Sequence, residues 1–379
     1  MLQNENIYPF EIVKEENEQF LNEQLITYIG NKRSLLSFIG EGIDIVKTKL
    51  DKKKLSTYDV FSGSGIVARF LKQYSSSLIV NDLEKYAEII NKCYLANFND
   101  VNINDVEKYY KEIIIKLEND PLRNGFISRL YSPDDDKNIK KNERVFYTTR
   151  NARYIDTARQ YIENVPEDIK PFLLAPLLSE ASIHANTSGV FKGFYKNRDN
   201  GIGSFGGKNG DALLRILGDI HLKLPIFSNF ECDVNIHRGD SNIISRCIEE
   251  IDLAYIDPPY NQHPYGSNYF MLNLICEYIE SNNISNVSGI PTDWNRSGYN
   301  KKKEAYEQFK ELVEIIPSKY LLISFNSEGF IQKDDMMNLL NKIGKVEILE
   351  TKYNTFRGSR NLRNRSIHVK EFLYLVNKN

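Results

Sequence analysis

Residues 57–82 read TYDVFSGSGIVARFLKQYSSSLIVND, and their order decides the fold class. Thr57–Phe61 reads as a short buried strand, β-branched and aromatic in character. Ser62-Gly-Ser-Gly65 follows at once, and glycine opens backbone conformations closed to other residues. Ile66–Tyr74 returns to helical spacing of apolar side chains. Ser77–Val80 is a second strand, ending in Asn81-Asp82. Strand, glycine turn, helix, strand, acid is the opening of a Rossmann-like, doubly wound α/β sheet, in which ligands sit at the carboxyl ends of the strands.

Outward from this core, Arg33–Leu50 carries Leu35, Leu36, Ile39, Ile43, Val46 and Leu50 on one face of an amphipathic helix, and Leu83–Asn97 is also helical. Residues 1–24 are polar and acidic and read as a loosely ordered lead-in. The alternation stops near Asp100. Residues 101–228 hold helical stretches (Val106–Leu117, Tyr154–Glu163, Lys170–His184) and a glycine-rich loop, Asn197–Lys208, with few strand signals. Strands resume at Cys232–His237, Ile251–Asp257, Tyr320–Phe325, Lys345–Glu350 and Glu371–Val376, the last two expected to pair antiparallel at a sheet edge. The expected organisation is therefore 1–100 and 229–379 as two parts of one α/β domain, with 101–228 a mostly helical insertion.

The chain's 379 residues suffice for a full core without disulfides or metals. With 49 basic and 51 acidic residues the formal charge is −2, so a nucleic-acid partner would have to be recognised by local patches. Cys93, Cys232, Cys247 and Cys276 are scattered without CxxC spacing, which points away from structural zinc and toward a reducing cytoplasm. No signal peptide and no membrane-spanning stretch is expected, and no metal site.

The sharpest chemical feature is Asp257-Pro-Pro-Tyr260, directly after an apolar strand. A carboxylate at a strand end faces the crevice, prolines leave carbonyls free to accept, and a tyrosine offers a stacking face. That set suits a planar group bearing an exocyclic amine, such as adenine or cytosine. The turn Phe61-Ser-Gly-Ser-Gly65 is neither a phosphate loop nor a full dinucleotide fingerprint. Joined to Asp82, which can hold two ribose hydroxyls, it suits a nucleoside without pyrophosphate, and S-adenosyl-L-methionine fits. In Thr27-Tyr-Ile-Gly-Asn-Lys32, a lysine at a helix start opposes the helix dipole and hints at an anionic partner.

Together these motifs resemble the DNA amino-methyltransferases that act on adenine N6, specifically the Dam-like α group found in restriction–modification systems. Tyr28-Ile-Gly-Asn-Lys32, Phe61–Gly65 and Asp257–Tyr260 occur in that group's order, before and after a large inserted block, and Ser324-Phe-Asn-Ser-Glu-Gly329 is similar as well. The resemblance implies a methyltransferase sheet whose insertion carries target recognition. It implies that Tyr28 and Lys32 lie near the methionine end of S-adenosyl-L-methionine, that Phe61, Ser62, Gly63 and Gly65 line it, and that Asp82 binds its ribose. Asp240 would contact the cofactor adenine, with Asp233 a competitor. Asp257, which also borders the cofactor, and the Pro258 carbonyl would accept the target amine's hydrogens, while Tyr260 stacks on a flipped base.

Double-stranded DNA is the implied partner, with a cognate restriction endonuclease a possible companion in the same system. Two cation-rich segments are candidates for phosphate contact: Lys140, Lys141, Arg144, Arg150 and Arg153, interleaved with Phe146, Tyr147 and Tyr154, and Arg357, Arg360 and Arg363 near the carboxyl end. Asn261–Tyr269 is expected to border the base pocket, with His263 structural, and Ser281–Lys303, with Trp294, is either a lid or a DNA contact. Cytosine N4 methylation and a catalytically silent DNA-binding subunit are the alternatives. The former usually shows Ser in place of Asp257, and the latter should show eroded motifs.

Overall fold

The computed structural model describes residues 15–207, 210–259, 262, 264–326, 329–354 and 368–378. Its strands are β1 (Leu55–Asp59), β2 (Ser75–Asp82), β3 (Asp233–Arg238), β4 (Ile251–Ile256), β5 (Ser318–Asn326), β6 (Lys345–Asn354) and β7 (His368–Asn377). They form one sheet in the order β3-β2-β1-β4-β5-β7-β6. The first five are mutually parallel, and β7 runs antiparallel between β5 and β6. From β1 the chain winds one way to β2 and β3, and the other way to β4 and β5. A crevice opens at the carboxyl ends where that winding reverses, between β1 and β4.

Side-chain alternation along the strands explains the layers. On β4, Leu253 and Tyr255 join a cluster with Leu36, Ile39 and Ile43 of the helix Leu36–Leu50. Ala254 and Ile256 point the other way, onto Phe309, Leu312 and Leu339 of the helices Ala305–Ile315 and Lys333–Ile343. Both faces are covered, so β4 is buried at every position, its one charged residue, Asp252, being paired with Lys52 and Lys319. Each fully buried aliphatic side chain here contributes about 1.5–3 kcal/mol of transfer free energy.

Several sequence expectations move. The first strand begins at Leu55 and ends at Asp59, so Phe61 lies beyond it. The lead-in is not loose over residues 15–24: Glu18–Asn22 is a helical turn and Phe20 is buried. The reason is Arg69, itself buried, whose guanidinium lies over the Phe20 ring and donates to the Phe20 and Glu23 carbonyls. Residues 1–14 and the Arg-rich stretch 355–367 lie outside the described residues.

Within 101–228 the described residues hold the helices Ile103–Asn119, Phe126–Tyr131, Thr149–Ile162, Lys170–Ile183 and Leu213–Leu217, and no strand of the sheet. This block shares a core with the α/β part. Ile155, Ala158, Leu174 and Leu178 pack in one cluster with Tyr86 and Ile90 of the helix Lys85–Tyr94 and with Leu272 of the helix Phe270–Glu277. Among the described residues no helix is long and apolar enough to cross a membrane.

Candidate active site

The crevice is a cleft of about 890 Å³, counting its open mouth, lined by groups from the ends of β1, β2, β3 and β4.

The glycine turn forms its floor. Gly63 and Gly65 adopt left-handed φ values of +53° and +74°. A Cβ on Gly63 would come within 2.7 Å of the Tyr28 ring, so glycine is what lets that tyrosine close over the turn. Gly65 does not line the cleft. It starts the helix Ile66–Lys72, and a Cβ there would meet Asn91. Phe61, Ser62 and Gly63 do line it, as does Tyr28, which stacks on Tyr265 and Tyr269 at 5.0 and 4.8 Å.

Asp82 ends β2 inside the cleft. Its oxygens accept from the Gly63 amide at 2.8 Å and the Glu84 amide at 2.9 Å. Burial raises its pKa and those amides oppose the rise. Each oxygen keeps a second lone pair, the capacity that ribose hydroxyls need. Asp240 also lines the cleft and caps the helix Ser241–Ser245 through the Asn242 and Ile243 amides. Asp233 stands at the opposite end of β3 and faces a different groove, beside Asn97 and Asp100.

Asp257 follows β4. Its Oδ2 accepts from Lys32 Nζ at 2.9 Å, while its buried Oδ1 has no hydrogen-bond partner among the described residues. Burial pushes its pKa up to about 6, against the opposing Lys32 charge and with help from Glu371. Lys32 is only 4% exposed, and its ammonium lies 3.7 Å from Glu371 on β7. Lys32 also lines the cleft, and Asp257 and Glu371 are anions of the chain itself beside this lysine. Pro258 is buried and does not line the cleft, whereas Pro259 does. Tyr260, Asn261 and His263 lie outside the described residues.

Sequence reasoning missed several cleft groups. Asp59, at the end of β1, is buried with neither oxygen in a well-formed hydrogen bond among the described residues, only glancing Phe61 and Ala68 amides nearby. Burial raises its pKa well above the carboxylate range, and Asp257 and Asp82 add to the rise. Burial likewise brings Glu84 to about 7, although it accepts from Asn273 at 2.5 Å and Asn295 at 3.2 Å. Asn295, Ser297 and Asn300 place the 281–303 segment on the cleft wall, next to Trp294, whose ring carries Arg296 at 4.1 Å. The signal available for Asp59 was an acid just before the glycine turn, the same logic that found Asp82.

The sequence profile of the D12 class N6 adenine-specific DNA methyltransferases matches residues 28–339. The chain belongs to that family. The methyltransferase is similar to the type II methyltransferase M.NlaIII of Neisseria lactamica, with 27% identity over 361 residues, covering 93% of this chain and 99% of the relative. It is similar to the type II methyltransferase M.CviAII of Paramecium bursaria Chlorella virus 1, with 28% identity over 365 residues, 93% of this chain and 98% of that one. The type II methyltransferase M.FokI of Planomicrobium okeanokoites shares 27% identity over 368 residues, 93% of this chain and 52% of the longer relative.

In the methyltransferase the cations of the helical block divide into two kinds. Lys140, Lys141, Arg150 and Arg153 are exposed, with Lys140 paired to Asp134 at 2.9 Å and Arg150 to Asp219 at 3.1 Å. Arg144 is half-buried and donates to the Leu130, Ser285 and Asn286 carbonyls, so it fastens the 281–303 segment to the block. Phe146, Tyr147 and Tyr154, interleaved with these cations, are buried core residues. Arg357, Arg360 and Arg363 lie outside the described residues.

Proposed function

We propose that this methyltransferase binds S-adenosyl-L-methionine in the cleft and methylates an adenine flipped out of double-stranded DNA, as the cytoplasmic modification enzyme of a restriction–modification system. The observation that carries the reading is the single cleft shared by Asp82, Asp240 and Asp257 at the switch point of the sheet. The type II names of the similar proteins support the biological setting, in which a restriction endonuclease would cut the same sequence unmodified. Residues 101–228 are assigned to target recognition, with Lys140, Lys141, Arg150 and Arg153 as their phosphate contacts.

The cleft's donor set fits the cofactor. Asp82 has lone pairs for the ribose, Asp240 a carboxylate beside the same wall, and Tyr28, Phe61, Ser62 and Gly63 an apolar and backbone surface. When bound, the cofactor supplies an electrophilic methyl group. The chain's own residues prepare the amine. Adenine N6 is a poor nucleophile because its lone pair is delocalised into the ring. The free Oδ1 of Asp257 accepts one amino hydrogen and a proline carbonyl of the same motif accepts the other, which favours a tetrahedral nitrogen. That interaction strengthens as the N–C bond forms, as catalysis requires. Tyr260 holds the extruded base by stacking, offsetting part of the few kcal/mol that unstacking costs.

The test is to incubate the enzyme with methyl-labelled S-adenosyl-L-methionine and duplex DNA, then digest to nucleosides. Label in N6-methyl-2′-deoxyadenosine, obtained only from duplexes that share one sequence, is the expected result. Label in N4-methyl-2′-deoxycytidine, or none, would overturn the reading.

A further inference from the structure

One acidic side chain reaches the catalytic aspartate from the far end of the chain. Glu371 sits on β7, opposite Asn326 of β5 and Thr351 of β6, and is 1% exposed. Its Oε1 accepts from the Ser324 hydroxyl at 2.7 Å and stands 3.7 Å from Lys32 Nζ. The same ammonium contacts Asp257 Oδ2 at 2.9 Å, so two carboxylates share one cation at the cleft wall. Without the second acid, the ammonium, which also donates to the Gly30 carbonyl at 3.3 Å, would lose its pull toward β7 and shift toward the aspartate's second oxygen. We infer that Glu371 is a positioning residue for methyl transfer: it draws Lys32 to one side of Asp257, so that one oxygen stays open toward the cleft as an acceptor. This rests on the reading of Asp257 as the acceptor of the target amine.

The geometry has an electrical consequence. Among the described residues the ionisable groups acting on Asp257 are Lys32 and Glu371, with Asp59 and Tyr255 also in its field. Glu371 raises the Asp257 pKa and Lys32 lowers it. Removing the Glu371 charge takes away one of the two carboxylates beside the Lys32 ammonium, which also donates to the Gly30 carbonyl at 3.3 Å, so the aspartate becomes a stronger acid and a weaker acceptor. Glu371→Gln keeps the shape and an oxygen for Ser324 while deleting the charge.

The experiment measures pH profiles of kcat/KM, together with kcat and both KM values, for wild type, Glu371→Gln, Glu371→Asp and Ser324→Ala, with Asp257→Asn as control. Glu371→Gln should move the acid limb down by at least about 0.5 pH unit. Its kcat should fall roughly tenfold, with KM for DNA and for S-adenosyl-L-methionine within about twofold of wild type. Glu371→Asp should restore the limb. Ser324→Ala, which keeps the charge, should lower kcat less and leave the limb in place, and it carries the test if Glu371→Gln does not fold. An unmoved limb in Glu371→Gln, or a loss confined to KM, or unchanged kcat in Ser324→Ala, overturns the role of Glu371 alone. An active Asp257→Asn would instead overturn the reading on which it rests.

Discussion

Buried charge is handled in opposite ways by the sheet's open end and by the helical block. In the block, Asp156 is buried and saturated: it accepts from the Ile127 and Ser128 amides at 3.2 and 2.8 Å and from the Tyr278 hydroxyl at 2.8 Å. Arg159 is likewise engaged by the Ile275 and Cys276 carbonyls and by Glu163. At the sheet's end, Asp59 and one oxygen of Asp257 are buried without such partners among the described residues. An unmet buried acceptor costs about 1–3 kcal/mol, more for a charged group. Asp156 avoids that cost, whereas Asp59 and Asp257 bear it at the sheet's end, where a ligand would meet the need. The difference teaches how to read a buried carboxylate: saturation marks structure, and an open lone pair beside a cleft marks chemistry.

The comparison breaks most visibly at Asp257. Asp257→Asn should slow single-turnover methyl transfer by about a thousandfold or more, roughly 4 kcal/mol of transition-state stabilisation, with DNA affinity retained in a gel shift. Asp82→Ala should weaken S-adenosyl-L-methionine binding by about 1–3 kcal/mol in calorimetry, since it removes a charged acceptor from the ribose side. Unchanged affinity would take Asp82 out of the site.

Acid titration sharpens the same contrast. The Asp257 pKa is raised to about 6 in the fold, so its acceptor form is lost as pH falls through that value. The kcat/KM for the free enzyme should therefore be about tenfold lower at pH 5 than on its plateau. The sign is opposite for stability. A raised carboxylate pKa means that the fold penalises the ionised form, so this group's contribution weakens as pH climbs from the unfolded value toward about 6.

The smallest effects belong to the exposed cations. Lys140→Ala and Lys141→Ala should each weaken binding to all duplexes alike and flatten the salt dependence by about one ion. Arg144→Ala should instead lower the melting temperature, because its guanidinium ties three carbonyls of neighbouring loops.

What the sequence made legible follows from how local each signal is. Asp82 and Asp257 announce themselves because an acid stands at the end of a strand-like run, and strand direction then sends both to the same sheet end. Phe61 lay beyond its expected strand because Val60 and Phe61 extend the apolar run past the last ladder pair at Asp59. Glu371 was hidden for a different reason. It opens the apolar run EFLYLV, and nothing local shows that an antiparallel β7 brings it to Lys32. Arg144 and Arg150 look alike in a cation-rich stretch. Only the path of the loop after Glu280 makes the first a fastener and leaves the second at the surface. Composition could not separate Tyr147 and Tyr154 from stacking residues either, since burial by helix packing is a tertiary fact.

The most direct measurement pairs Asp257→Asn with Asp156→Asn and records, for both, the melting temperature and the single-turnover methylation rate per folded molecule. Asp257→Asn should melt no lower than wild type and lose methyl transfer, while Asp156→Asn should melt several degrees lower and methylate at the wild-type rate. Equal losses of stability and rate in the two variants, or near wild-type methylation by Asp257→Asn, would contradict the account.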